Sequence, residues 1–133
     1  MSNIILSVFK RKGGEGGKTK IITNENIDQY KYLYEKKLIE NETGLIIYYY
    51  SNDNWILYSN KRIIVLKSRD FFSIYYSEIA PLGSEKLINA KQQDGKYPLV
   101  IYHLKDKNGK NYVIDIESGE PFNGIIQILY LFG

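Results

Sequence analysis

The chain has no cysteine, one histidine, one tryptophan, one methionine and three prolines among its 133 residues. Without thiols there is no disulfide framework, no thiolate nucleophile and no cysteine-based metal site. With His103 as the sole histidine, no His/Cys/carboxylate cluster suggests a metal. His103 lies in Leu99-Val-Ile-Tyr-His-Leu104, a strand-like run. No oriented partner or nucleophile stands at fixed spacing from it, so acid–base catalysis has no candidate constellation. It reads as a strand histidine that is bonded locally or faces solvent. Long hydrophobic runs are absent too. Gly124–Phe132 is about half the length that spans a bilayer. Ile4–Phe9 is short, and its basic residues follow it, the reverse of a secretory signal. The expectation is a cytoplasmic protein, peripheral at the membrane at most, with no catalytic residues and no cofactor.

What is present favours β structure. Thirteen tyrosines accompany many Ile and Asn residues, a mixture suited to strands joined by turns. The length fits one domain with a core of its own. Charge is unevenly placed. Lys10, Arg11, Lys12, Lys18 and Lys20 stand against Glu15 in the first twenty residues, a net +4. The other 113 residues hold thirteen basic and fourteen acidic side chains, a net −1. Such a basic arm can meet anionic lipid or nucleic acid, or simply be a solvated terminus.

The pattern divides the chain into a basic, Gly-rich tail over 1–22 and a single domain over 23–133. Ile4–Phe9 reads as a short strand or amphipathic turn, and 10–20 as a flexible loop. A helix is expected over 24–40, capped by Thr23 or Asn24. Ile27, Tyr30, Tyr34 and Leu38 share its apolar face. Lys31 and Glu35 form an i,i+4 pair on another face. Strands are expected near 45–50, 55–60, 62–67, 71–77, 86–92, 98–105 and 110–116. Their turns fall at Ser51–Asn54, Asn60-Lys61, Ser68–Asp70, Gln93-Asp-Gly95 and Asn108-Gly109, the last read as a two-residue hairpin turn. Tyr112, Ile114 and Ile116 alternate with Val113, Asp115 and Glu117, which predicts one dry and one wetter face. Pro121 suits the first turn of a closing helix over 120–132. Phe122, Ile125, Ile126, Leu129 and Phe132 form its broad apolar face, so it must be covered.

Two runs in this pattern carry a resemblance. Trp55-Ile-Leu-Tyr-Ser-Asn-Lys-Arg-Ile-Ile-Val-Leu-Lys67, followed by Phe71-Phe-Ser-Ile-Tyr-Tyr-Ser-Glu-Ile79, resembles the core of bacterial pleckstrin-homology-like (PH-like) domains, which are close to GRAM-like domains. The similarity covers roughly 36–132. It implies a mainly β, α+β fold: a strongly bent seven-stranded antiparallel sheet or barrel, capped by the C-terminal helix, with an extra N-terminal helix. In phosphoinositide-binding members, Lys and Arg cluster in the loop between the first two strands. Here that loop is Ser51-Asn-Asp-Asn54, with no basic residue. By analogy Lys67, Arg69, Lys105, Lys107 and Lys110 lie at the same rim, partly offset by Asp70 and Asp106.

Lys12-Gly-Gly-Glu-Gly-Gly-Lys18-Thr19 is similar to the phosphate loop of partition-type ATPases. It has one glycine too many, no helix starting at its Lys-Thr, and strand-rich chain after it. A linker is the better account, and nucleotide binding is disfavoured. Tyr48, Tyr49, Tyr50, Trp55, Tyr75 and Tyr76 are the candidate partner surface, since neighbours on a strand point to opposite faces. Core and cross-strand packing is the more usual account of such residues. Without interleaved basic residues they argue weakly for nucleic acid. The expected function is a non-catalytic domain that recognises a protein partner or itself. Two alternatives stand beside it. One is attachment to anionic membrane, with Ile4, Ile5, Leu6, Val8 and Phe9 inserted and Lys10, Arg11, Lys12, Lys18 and Lys20 on head groups. The other is a small immunity or inhibitor protein.

Overall fold

The computed structural model describes residues 2–80, 90–93 and 97–132. The chain begins with a helix, α1 (Ser2–Lys12), not with a loose tail. Ile5, Val8 and Phe9 recur at helical spacing and are buried, Ile5 and Phe9 completely. Each such side chain stabilises by about 1.5–3 kcal/mol, enough to hold a terminus that composition alone leaves loose. A short strand, β1 (Thr19–Ile21), follows and pairs antiparallel with β2 (Gly44–Ser51).

Between them lies α2 (Ile27–Tyr34), continued by a 3₁₀ turn over Glu35–Lys37. This is shorter than the expected 24–40. The Thr23 side chain accepts only the Glu25 amide, and Asn26 turns its own side chain back to Thr23 N and Ile21 O. The start of the helix is thus tied to β1 instead of being capped by a side chain. Lys31 pairs with Asp28 one turn earlier, not with Glu35.

The strands β3 (Asn54–Ser59), β4 (Arg62–Lys67) and β5 (Asp70–Tyr75) complete a five-stranded antiparallel sheet in the order β1-β2-β3-β4-β5. A 3₁₀ turn, Tyr76–Glu78, ends it. The second sheet is β6 (Ala90–Gln93), β7 (Tyr97–Lys105) and β8 (Asn111–Glu117), also antiparallel. The expected strand at 86–92 and turn at 93–95 fall mainly outside the described residues. Among the described residues no ladder joins the sheets, only one bridge, Ile79 to Asp106. Six of the expected strands appear as β2, β3, β4, β5, β7 and β8, but among the described residues the strands lie in two sheets and form no closed barrel.

The closing helix, α3 (Glu120–Phe132), spans the expected residues. It packs against α1, and together they cover the core between the sheets. The central strands β2, β3 and β4 are buried on both faces. Ile46, Tyr48, Ile56, Tyr58, Ile63 and Val65 enter this main core. On the other face Ile47, Trp55, Leu57 and Ile64 pack with Tyr34 beneath α2. Period-two alternation within apolar strands serves both cores. The expected wet face of β8 is only partly wet. Val113 is exposed, but Asp115 is buried and Glu117 half-buried.

Candidate functional site

The Gly-rich loop is a strap, and its anion is internal. The Gly17 amide donates to Glu117 Oε2 (2.8 Å), and the Lys18 amide and Thr19 hydroxyl donate to Glu117 Oε1 (3.0 and 2.7 Å). The loop runs into β1 rather than a helix. Its glycines serve close approach. A Cβ on Gly13 would strike the backbone of Glu120 and Gly124, and one on Gly124 would meet the Phe9 ring at 2.6 Å. Glycine here lets α1 lie against α3. The resemblance to a phosphate loop thus has a packing cause.

The run Ser59-Asn-Lys-Arg62 also has a structural purpose. Arg62 forks onto Glu42, Nε to Oε2 at 2.9 Å and Nη2 to Oε1 at 3.1 Å. It also donates to Lys37 O and Ser73 Oγ. Ser59 Oγ donates to Glu42 Oε2 (2.6 Å), and Tyr76 Oη donates to Ser59 O (2.7 Å). Burial opposes ionisation of Glu42, but hydrogen bonds from Arg62, Ser59 and the Ile39 amide outweigh it and hold the carboxyl below its usual range. Glu42 and Arg62 had no functional assignment from sequence. Their role is to fix the β3–β4 turn against the segment before β2. Asn60 adds bonds to Thr43 and Asn41.

The tyrosines and Trp55 divide. Tyr48, Trp55 and Tyr76 are core residues at 3%, 1% and 3% exposure, which removes them from any partner surface. Tyr49 and Tyr75 are half-buried, and Tyr50 is exposed. Tyr32 on α2 was not anticipated and is more exposed still. Its hydroxyl and that of Tyr49 both donate to Asn52 Oδ1, at 2.8 and 2.7 Å. Helical periodicity put Tyr34 on the apolar face and left Tyr32 off it, but nothing local showed that Tyr32 would meet Asn52.

The basic residues fall in two places. Lys10, Arg11 and Lys12 form the last turn of α1, where the helix dipole favours cations. Lys18 and Lys20 lie beside and on β1. The apolar set expected to enter a membrane is largely occupied, since Ile5, Val8 and Phe9 pack inward. Ile4 alone of that set is exposed. At the other place, Lys67 and Lys110 line one groove with Asp70, Phe72, Asn111, Tyr112 and Val113. Arg69 is exposed in the β4–β5 turn, and Lys105 and Lys107 are exposed at the β7–β8 tip.

This groove runs between β5 and β8, one edge strand from each sheet. Its volume is about 380 Å³, at the low end of the roughly 300–1,000 Å³ of ligand pockets. Phe72 and Tyr112 meet across it with ring centroids 5.5 Å apart. Lys67 reaches Asp115 at 2.7 Å and joins the sheets electrostatically. The β7–β8 connection is not the expected two-residue turn. It runs over 106–110, and of its residues only Gly109 has positive φ (+87°). Asp106 organises it, accepting from the amides of Asn108 and Lys110 at 2.9 Å each and from Tyr112 Oη at 3.1 Å. The Lys110 amide bond first, then the Asn108 and Tyr112 bonds, outweigh burial and lower its carboxyl below the usual range. His103 lies opposite Val113 on β7 and is exposed. Among the described residues no three His, Cys, Asp or Glu side chains could hold a metal ion, and no helix is long and apolar enough to cross a membrane.

Comparison with family models, curated proteins and solved structures returned no match to this chain.

Proposed function

We propose that this chain is a non-catalytic binding domain that recognises a protein partner at the groove between β5 and β8. One observation carries the reading: two sheet edges without ladder partners, among the described residues, border a groove with an aromatic floor. An exposed edge offers main-chain donors and acceptors in a row, and an extended segment of another chain can pair with them. The floor of Phe72, Tyr112 and Val113 adds apolar contact. The proposal includes a PH-like arrangement. Its support is the order of four consecutive antiparallel strands, β2 to β5, then three more, then the closing helix. Membrane attachment through residues 1–20 is the weaker reading, because α1 would have to leave α3 to expose Ile5, Val8 and Phe9.

A photo-crosslinking residue at Val113, which is 43% exposed, tests the reading in the native cell. A control crosslinker goes at Tyr130 on α3, which is 52% exposed. The expected result is a protein captured from position 113 and not from 130. Purified, that protein re-forms the complex with the wild-type chain and not with Val113→Asp. Capture of lipid alone, or equal capture from both positions, counts against the proposal.

A further inference from the structure

We infer that the groove between β5 and β8 takes an extended, acidic peptide segment of the partner. This rests on the binding-domain reading above and adds the partner's chemistry. Shape comes first. The walls are strand edges, and β5 and β8 each lack a ladder on the groove side among the described residues. An extended backbone can hydrogen-bond there, which a helix cannot do because its amides are already paired. The floor is apolar and small, and it seats about one or two side chains.

Charge decides what flanks that anchor. Lys67, Arg69, Lys105, Lys107 and Lys110 stand on the groove and the two hairpin tips that border it. The carboxylates nearby are Asp70, Glu78, Asp106 and Asp115. Three of these are committed within the protein. Asp106 accepts two amides and the Tyr112 hydroxyl. Asp115 accepts Lys67, and Glu78 accepts the Tyr75 amide. These bonds leave the carboxylates charged, so Asp70 offsets Arg69 and Asp115 offsets Lys67; the positive excess sits at the β7–β8 tip, where the exposed Lys105, Lys107 and Lys110 stand against Asp106 alone. Asp or Glu beside an apolar anchor, on the side of the β7–β8 tip, would match this excess and speed association at low salt. A flat anionic membrane would touch the tips but leave the recessed floor unfilled.

A random dodecapeptide library, displayed and selected on the full chain, tests this without prior choice of sequence. The enriched peptides are expected to hold more Asp and Glu than Lys and Arg. Fluorescence anisotropy of the best of them, synthesised with a label, should show binding at least tenfold weaker to the Lys107→Glu/Lys110→Glu variant. Arg69→Glu, in a different turn, should weaken it severalfold, whereas Lys10→Glu/Arg11→Glu on α1 should not. Native Trp55 emission and an unchanged melting midpoint establish that each variant is folded. Enriched peptides that are neutral or basic, yet lost with Val113→Asp, would overturn the acidic partner and leave the groove reading intact. Acidic peptides that depend on Lys10 and Arg11 would move the site elsewhere. No enrichment at all would remove both. Binding to phosphatidylserine vesicles that disappears in Lys107→Glu/Lys110→Glu, with no peptide bound, would assign the rim to lipid instead.

Discussion

Two ion pairs stand at opposite ends of the β4 strand, and they do different things. Arg62 and Glu42, at its start, are almost wholly enclosed, with side-chain exposures of 11% and 0%. Lys67 and Asp115, at its end, combine a 52% exposed ammonium with an 8% exposed carboxylate. The partners of the enclosed guanidinium are fixed groups, Glu42 and Lys37 O in the segment before β2 and Ser73 Oγ on β5. The open pair leaves its lysine at the wall of a groove. Charge that is buried and fully bonded specifies geometry, whereas charge with one side in water is available to a partner.

The largest test of that contrast is Glu42→Ala. It leaves Arg62 enclosed without its carboxylate and should cost about 3–5 kcal/mol. Urea unfolding followed by Trp55 emission measures it, since that indole is buried. The pair also predicts acid sensitivity. Glu42 has a folded pKa below its ordinary 4.5. Its stabilisation is therefore complete above that pH and lost as pH falls through the folded value. Glu42→Gln should flatten that part of the stability profile below about pH 4.5; an unchanged acid limb would show that the carboxylate is not held as described.

Next comes the strap. Gly13→Ala pushes a methyl group into the α3 backbone, and overpacking of this kind costs about 1–3 kcal/mol. A melting point equal to wild type would mean that α1 does not lie against α3. Glu117→Ala removes the acceptor for three donors and should cost about 1–2 kcal/mol. Faster amide exchange at Gly17 and Lys18 than in wild type would accompany it. The smallest effect belongs to Lys67→Ala, about 1 kcal/mol or less. If it costs as much as Glu42→Ala, the distinction between an enclosed and an open pair fails.

Local regularities were readable without any structure. Apolar alternation and the Asn60-Lys61 turn placed β2 to β5 within a residue or two, and Pro121 with the 3.6-residue period placed α3. The segment 1–22 was misread for a physical reason. Glycine and lysine together are the composition of a loose linker, yet here glycine permits helix contact and lysine closes a helix. The stacking of Tyr76 on Phe132, centroids 4.6 Å apart, shows the same limit. A Tyr in a strand-like run looks identical whether it faces a partner or a helix that arrives more than fifty residues later.

By itself, then, the sequence determined which segments extend, which coil and where most turns fall, because those depend on periodicity and on residues within a few positions. The tertiary structure alone decided that the strands part into two sheets, that α1 joins the core, and that Gly17 meets a carboxylate 100 residues away. Only there do β5 and β8 become the two banks of one groove. Such contacts depend on which surfaces can be buried together, and no local pattern encodes that choice.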